Sequence, residues 1–366
     1  MVYRDGVEDD DVRFMRRALE LAAQGIGETN PNPVVGCVLA RQGRVVGEGY
    51  HRRAGGPHAE VVALRRAGEA ARGSTAYVSL EPCAHEGRTA ACAPLLVAGG
   101  VSRVVAAFRD PNPRVSGRGL AILRRAGIAV TVGVLEGEAR RLNQRFVRAA
   151  RMWRPYVLLK AAITLDGRIA TARGESKWIT SPAQRREARR LRRLYDGVLV
   201  GIGTVLADDP LLLPQPRVRR PYHRIVLDSS LRLPLSSRLV ASAPLSPVWV
   251  VTGKDRSRKQ ARLEARGVKV LNVPTARGRV ALPSALRALR ETGLWSLMVE
   301  GGSEVLGSFL RDELFDEVAL FRAPVLLGGR MSLPAFGGPD PLRIGDAVRL
   351  RPGPASATHE LWYPGR

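Results

Sequence analysis

Cysteine is nearly absent from this 366-residue chain: there are three, Cys37, Cys83 and Cys92. That odd, sparse set excludes a disulfide framework and leaves metal ligation or burial as free thiols. Long apolar runs are missing too. The longest, such as 197–207, fall well short of the roughly 20 residues a membrane helix needs, so a membrane span is excluded. The opening MVYRDGVEDDD has neither an apolar signal core nor a small-residue cleavage pattern, and a cytoplasmic location is the expectation. Aromatic residues are scarce at 5%, and lysine is scarcer, with five against 53 arginines in a chain of net charge +24. The arginines are mostly dispersed and not interleaved with aromatics, which argues against a nucleic-acid groove. A charged surface or a phosphate-rich ligand accounts for them better.

What is present is ordinary globular material, 45% apolar and 25% charged, in a length that exceeds one hydrophobic core and predicts two domains. Asp11 is a plausible N-cap for a helix with Phe14, Met15, Ala18, Leu19 and Ala22 at helical spacing. Apolar runs at 34–40 and 44–49, parted by Gln42-Gly43, read as a hairpin. Helix and strand then alternate: helix 60–71, strand 76–80, a helix after Cys92, strand 103–107, helix 119–126 and strand 129–133. A single closing helix is expected over 136–152, ending where Arg154-Pro155 disfavours helix. Boundaries of 1–150 and 151–366 follow. The second part restarts with strand 157–163, helix 182–195, strands at 197–201, 224–227, 248–252 and 268–271, helix 282–292, strand 296–300, helix 303–311 and strand 317–323. Both parts are α/β layered structures.

The sharpest chemical signal lies in the first part. His58 opens a helix in Pro57-His58-Ala59-Glu60, Cys83 follows a strand in Glu81-Pro82-Cys83, and Cys92 lies nine residues on. One imidazole and two thiolates make three ligands for a tetrahedral zinc whose fourth position takes water. Glu60, two residues past His58, can reach that water without occupying the metal. This is the arrangement zinc deaminases use, with the carboxylate moving the proton. Cys37 sits in an apolar run and reads as packing.

The ten-residue CAHEGRTAAC between the two cysteine ligands, with TNPNPVVGCV, GYHRRAGGPHAE and RDPNPRVSGRGL around it, resembles the deaminase half of the RibD family, bifunctional deaminase-reductases of riboflavin biosynthesis. The resemblance implies a cytidine-deaminase-like α/β/α zinc domain and a substrate that is a diaminopyrimidinone carrying ribosylamino 5-phosphate. By the same resemblance Asn32 would hydrogen-bond the ring and His51 would lie beside it, with His85 and Arg88 as further candidates near ring or phosphate.

In the second part, GIGTVLADDP and EGGSEVLGSFL place small residues at helix starts, where free N–H groups attract phosphate. No G-x-G-x-x-G follows the first strand, which disfavours a Rossmann dehydrogenase. The string from Lys160 to Pro210, with RIVLDSS, VEGGSEVLGSFL and APVLLGG downstream, resembles the reductase half of the same family. It implies a dihydrofolate-reductase-like α/β domain in which NADPH reduces the ribosyl group to ribityl. Ala162, Trp178, Thr204, Asp208 and Ser229 would contact NADPH, and Gly302, Ser303, Glu304, Val305, Leu306, Gly307 and Ser308 would hold its phosphates. Ser176, Arg192, Leu212, Gln215 and Glu300 would contact substrate, with Lys160 and Asp166 as polar neighbours. The chain departs from the family after Asp208-Asp209-Pro210: Leu213 stands for Thr, and Gln215 for the Arg that binds substrate phosphate. Arg192 and Arg217 are the neighbours left to compensate. The expectation is therefore a zinc- and NADPH-dependent bifunctional enzyme acting on a phosphorylated pyrimidine, as a homo-oligomer, without nucleic-acid or membrane partners. Two alternatives stand beside it: an active deaminase with a weak or inactive reductase domain, and a nucleic-acid base deaminase.

Overall fold

The computed structural model describes residues 9–84, 90–113, 115–253, 258–354 and 356–365. They divide into two compact units, Met1–Met152 and Trp153–Arg366. The first unit carries five strands, β1 (Gly36–Arg41), β2 (Arg44–Tyr50), β3 (Thr75–Val78), β4 (Arg103–Ala106) and β5 (Ala129–Val132), in the sheet order β2-β1-β3-β4-β5. β1 runs antiparallel to β2 and β3, while β3, β4 and β5 are parallel. Gln42 and Gly43 both adopt positive φ, 51° and 69°, the twist that a two-residue hairpin turn requires.

Six helices accompany this sheet: α1 (Asp9–Ala23), α2 (Ala59–Ala67), α3 (Cys92–Ala98), α4 (Arg118–Arg125), α5 (Glu136–Leu142) and α6 (Gln144–Ala149). Side chains alternate across a strand, and the sheet accordingly serves two cores. Val38, Ala40 and Tyr77 face Phe14, Met15 and Leu19 of α1. Cys37, Leu39, Ala76 and Val78 face Ala63 of α2, Leu96 of α3 and Leu123 of α4. Cys37 is fully buried in that second core. The single closing helix expected over 136–152 is instead α5 and α6, broken at Asn143. Its side chain accepts from Val34 N (2.9 Å) and donates to Val34 O (3.0 Å), a pairing 109 residues apart that no local pattern announces.

The second unit is built on a nine-stranded sheet. Its strands are β6 (Tyr156–Ile163), β8 (Gly197–Gly201), β9 (His223–Leu227), β10 (Val248–Thr252), β11 (Val268–Asn272), β14 (Ser296–Val299), β15 (Glu317–Arg322), β17 (Leu350–Pro352) and β18 (Glu360–Pro364). Two small ribbons complete the count: β7 (Arg168–Ala170) pairs with β16 (Leu333–Pro334), and β12 (Thr275–Ala276) with β13 (Arg279–Val280). The order of the main sheet is β11-β10-β9-β8-β14-β6-β15-β18-β17. All pairings from β11 to β15 are parallel, and the β17–β18 hairpin closes one edge antiparallel. Near-continuous apolar strands such as Val198–Val200 and Val248–Val251 are what a sheet covered on both faces needs.

The coverage comes from α7 (Pro182–Leu191), α8 (Ile202–Asp208), α9 (Arg238–Ala241), α10 (Arg258–Glu264), α11 (Leu282–Glu291) and α12 (Ser303–Arg311). α11 and α12 pack on one face through Leu286, Leu289, Leu306 and Phe309. Val205, Leu239 and Leu263 of α8, α9 and α10 pack on the other. In open parallel sheets ligands bind beyond the carboxyl ends of the strands. The ends of β6, β8 and β14 meet at such a place, and the loop after α8 is fixed there by Arg224. Its guanidinium is fully buried and donates to Leu211 O and to Ser242 Oγ and O. Burial and the nearby Arg217 lower its pKa to about 10.

Candidate active sites

In the first unit the start of α2, the segment after β3 and the start of α3 converge. His58 Nδ1 lies 3.2 Å from Cys92 Sγ and 3.6 Å from Cys83 Sγ, and the three donor atoms fall within 4.8 Å of one another. Ligands at ~2.0 to 2.3 Å from a tetrahedral zinc stand roughly 3.5 Å apart, so this trio fits the ion. The Cys92 backbone N–H donates to Cys83 Sγ at 3.2 Å. Hydrogen bonds from Cys92 and His58 hold the Cys83 thiol well below the usual thiol range, while the proton between the two sulfurs and burial hold Cys92 far up. Two sulfurs competing for one proton are a donor set that a divalent cation relieves. Glu60 is 3% exposed, and burial raises its carboxyl above the usual range, which suits a group that takes up and returns a proton.

Asn32 and His51 also come together here. His51 Nδ1 sits 3.0 Å from Pro57 O, and its Nε2 sits 3.2 Å from Asn32 Nδ2. A carbonyl only accepts, so Nδ1 carries the proton and Nε2 accepts from the Asn32 amide. Burial lowers the His51 pKa and keeps the ring neutral. The Asn32 amide is thereby oriented. His85 and Arg88 lie outside the described residues.

Sequence reasoning missed Glu81. This buried carboxylate accepts from Asp110 N (3.0 Å), Gly117 N (2.9 Å) and Gly119 N (3.0 Å). It caps the entry of α4 and pins the turn that carries Cys83. A Cβ on Gly119 would overlap the Pro82 carbonyl oxygen, so the glycine lets α4 press against the ligand-bearing segment. Only the glycine in VSGRGL and the acid beside Pro82 hinted at it.

In the second unit a cavity of about 950 Å³ opens at the strand ends. Ala162, Trp178, Thr204, Asp208, Gly302, Ser303 and Leu306 line it, and so do Ser176, Arg192, Leu212, Gln215 and Glu300. The structure does not bring the remaining expected residues to it. Ser229 Oγ accepts from Val280 N at 2.9 Å, and Glu304 is exposed and pairs with Arg279 at 2.8 Å. Val305 packs under Gly201 and Gly301, while Gly307 abuts Gly337. Ser308 Oγ turns back to Glu304 O at 2.7 Å. Lys160 lines the cavity, whereas Asp166 binds the Leu327 and Gly328 amides of a surface loop.

Charge dominates this cavity. Its wall holds seven cations, Lys160, Lys177, Arg185, Arg189, Arg192, Arg217 and Arg238, against two carboxylates, Asp208 and Glu300. Both carboxylates are engaged. Lys177 lies 2.9 Å from Asp208, and Glu300 takes a two-pronged bond from Arg192 at 2.6 and 3.0 Å, with Lys160 at 3.8 Å. Burial pushes the Glu300 carboxyl up, but Arg192 and Lys160 more than reverse this and hold it at about 2. Three of the cations, Arg185, Arg189 and Arg192, come from α7 and the turn that follows it. Ser181 caps that helix with Gln184 as its reciprocal partner; the helix directs Arg185 and Arg189 into the cavity, and Arg192, in the 3-10 turn beyond it, continues the same face at spacings of four and three.

Two family models match the chain. Residues 155–355 match the RibD C-terminal domain, and residues 8–108 match the cytidine and deoxycytidylate deaminase zinc-binding region. Curated relatives include the riboflavin biosynthesis protein RibD of Aquifex aeolicus, 45% identical over 90% of this chain and 92% of that one, and of Escherichia coli, 44% identical over 87% and 89%. Among solved structures, Acinetobacter baumannii RibD superimposes with a TM-score of 0.88 at 37% identity, covering 97% of this chain and 99% of that one. A Thermotoga maritima structure described as a diaminohydroxyphosphoribosylaminopyrimidine deaminase/5-amino-6-(5-phosphoribosylamino)uracil reductase gives 0.84 at 36%, covering 97% and 99%.

Proposed function

Because this chain belongs to the RibD family and is a bifunctional enzyme of riboflavin biosynthesis, a zinc-dependent deaminase joined to an NADPH-dependent reductase, we propose the following division of labour among its residues. The first unit hydrolytically deaminates 2,5-diamino-6-ribosylamino-4(3H)-pyrimidinone 5′-phosphate. His58, Cys83 and Cys92 hold zinc, which supplies a water acidified to near neutral pH. Glu60 would carry two protons in turn, the first from the attacking water to the ring nitrogen and the second from the added hydroxyl to the amine, which leaves as ammonia while the carbonyl forms; the raised pKa of its carboxyl supports this shuttle. Asn32, aimed by His51, hydrogen-bonds the pyrimidine. The single observation that carries this reading is the trio of donor atoms within 4.8 Å beside a buried carboxyl.

The second unit reduces the ribosyl group to ribityl, giving 5-amino-6-ribitylaminouracil 5′-phosphate, with NADPH as the source of hydride. Ala162, Trp178, Thr204, Asp208, Gly302, Ser303 and Leu306 hold the cofactor. The open N–H groups at the start of α12, behind Gly302, suit its phosphates. Ser176, Arg192, Leu212 and Glu300 orient the sugar and ring. Five cations in excess of carboxylates around one cavity (seven less two) support two phosphorylated ligands there rather than a neutral one. They equally support a small-molecule substrate over nucleic acid, since they line a recess and not an exposed stripe. Among the described residues no helix is long and apolar enough to cross a membrane. We place the protein in the cytoplasm, which its three free cysteines support, and expect a homo-oligomer, supported by exposed Leu326, Met331, Leu342 and Ile344.

Mass spectrometry of the product made from the diaminopyrimidinone phosphate tests both activities. Without NADPH the product should be the deaminated ribosyl compound, and with NADPH its ribityl form. Glu60→Gln with zinc retained should slow ammonia release ~10²- to 10⁴-fold yet still reduce the deaminated intermediate. Native ammonia release from that variant refutes the role of Glu60.

A further inference from the structure

Gln215 occupies the place where the resemblance led us to expect a phosphate-binding arginine, and two neighbours were expected to compensate. One of them already has its charge matched by Glu300. Arg192 spends Nε and one terminal nitrogen on Glu300 and the other on Leu213 O, 2.9 Å away. Lys160 stands beside the same carboxylate, Lys177 is paired with Asp208, and Arg185 lies 4.4 Å over the Trp178 ring. Among the described residues, the cavity's arginines with no carboxylate partner and no ring beneath them are Arg189, Arg217 and Arg238.

Arg189 is held in a particular way. Its Nε donates to Gln215 Oε1 at 2.6 Å, and its carbonyl accepts from Gln215 N at 3.1 Å. With Nε engaged, the planar guanidinium is fixed in orientation while both terminal nitrogens keep their N–H groups for a ligand, the fork that suits a phosphate. An arginine at 215 would offer no acceptor for Nε and would repel it. Burial and the like charges of Arg192, Arg185 and Arg186 already lower the Arg189 pKa, so an arriving anion relieves a repulsion that is built into the apo cavity.

We propose that Arg189, positioned by Gln215 and assisted by Arg217, grips the 5′-phosphate of the reductase substrate in this chain, so that glutamine at 215 relocates the phosphate grip by one partner instead of abolishing it. This rests on the reductase reading given above. Gln215 is then a positioning residue, acting through Arg189.

The test uses the full chain at saturating NADPH, with the deaminated ribosylamino intermediate and its dephosphorylated counterpart compared side by side. Loss of a charge-assisted bond is worth about ten- to a hundredfold in affinity. Arg189→Ala should therefore raise the KM for the phosphorylated compound by that factor with kcat within about twofold. Gln215→Ala should raise it severalfold, and Arg189→Lys should restore part of the loss. None of the three should change KM for the dephosphorylated compound. Equal shifts for both compounds, no shift for the phosphorylated one, or a weakened NADPH dissociation constant in place of a substrate effect would each overturn the proposal. Equilibrium binding of the two compounds with NADP⁺ present shows the same split without turnover. Absent turnover in the native chain thus counts against the reductase reading, whereas absence of the split counts against the grip.

Discussion

Replacing Gly119 by alanine asks whether the zinc trio is held by its own geometry or by the backbone behind it. Gly119 is the second residue of α4, where its N–H donates to Glu81 Oε1. A Cβ there would overlap the Pro82 carbonyl oxygen and stand 3.0 Å from its carbon. The obstacle is backbone, so no side chain can swing aside, and either α4 or the Pro82-Cys83 segment has to move. Zinc–ligand distances tolerate only about ±0.2 Å, and Cys83 is one residue from the collision. Disturbing the supports of a metal ligand typically costs ~10- to 100-fold in affinity, and overpacking alone costs ~1 to 3 kcal/mol of stability. Gly119→Ala should thus surrender zinc to a chromogenic chelator at ~10- to 100-fold lower chelator concentration. Gly117→Ala is the matched control. That position has a φ of 82° and nothing within 4 Å of a built Cβ, so alanine meets only backbone strain of ~1 to 2 kcal/mol and zinc should stay put. Native zinc retention in Gly119→Ala, or equal loss in Gly117→Ala, refutes the reasoning.

Three further outcomes are expected. Cys83→Ser and Cys92→Ser should each lose most of the zinc found by metal analysis, and full occupancy in both would remove the assignment. Glu300→Gln strands Arg192 and Lys160 in a buried site and should lower the stability of the second unit by about 3 to 5 kcal/mol in urea unfolding. The folded Glu300 pKa, about 2, lies below its unfolded value, so its contribution is complete above about pH 4.5 and fades as pH falls toward 2. The variant should flatten that part of the stability profile, and an unchanged acid limb would show that Glu300 is not the group responsible. NADPH should bind more tightly than NADH, because the cations of the cavity wall favour the extra phosphate; equal dissociation constants would contradict this.

The convergence of His58, Cys83 and Cys92 was legible because each sits beside a local landmark: His58 and Cys92 open helices, and Cys83 follows a strand and a proline. The α/β alternation was legible for the same reason, since apolar period and helix-start chemistry are local. What escaped depends on partners far along the chain. Glu81 binds backbone amides 29 to 38 residues away, and backbone groups carry no signature in a sequence. The break at Asn143 has the same origin. The edge hairpin of β17 and β18 was missed because proline, glycine and small polar residues interrupt any alternation there. On α7 the arginines gave no sign of what they face, since a charged stripe toward a ligand cavity and one toward water have the same period. That ambiguity also hid Arg189, whose role depends on a side chain 26 residues downstream.

The clamp of Asn143 on Val34 bears on where the polypeptide can be cut. The loop that presents Asn32 is closed by a residue from the joint between α5 and α6, near the far end of the first unit. A deaminase half shortened to its five strands and first four helices would keep every zinc ligand and Glu60, yet release the carbonyl and amide of Val34. The pyrimidine contact proposed for Asn32 would then hang on an untied loop. Trimming before residue 143 should therefore spare metal content while eroding the affinity for the base, whereas a cut near Met152 keeps the Asn143–Val34 clamp within the shortened chain.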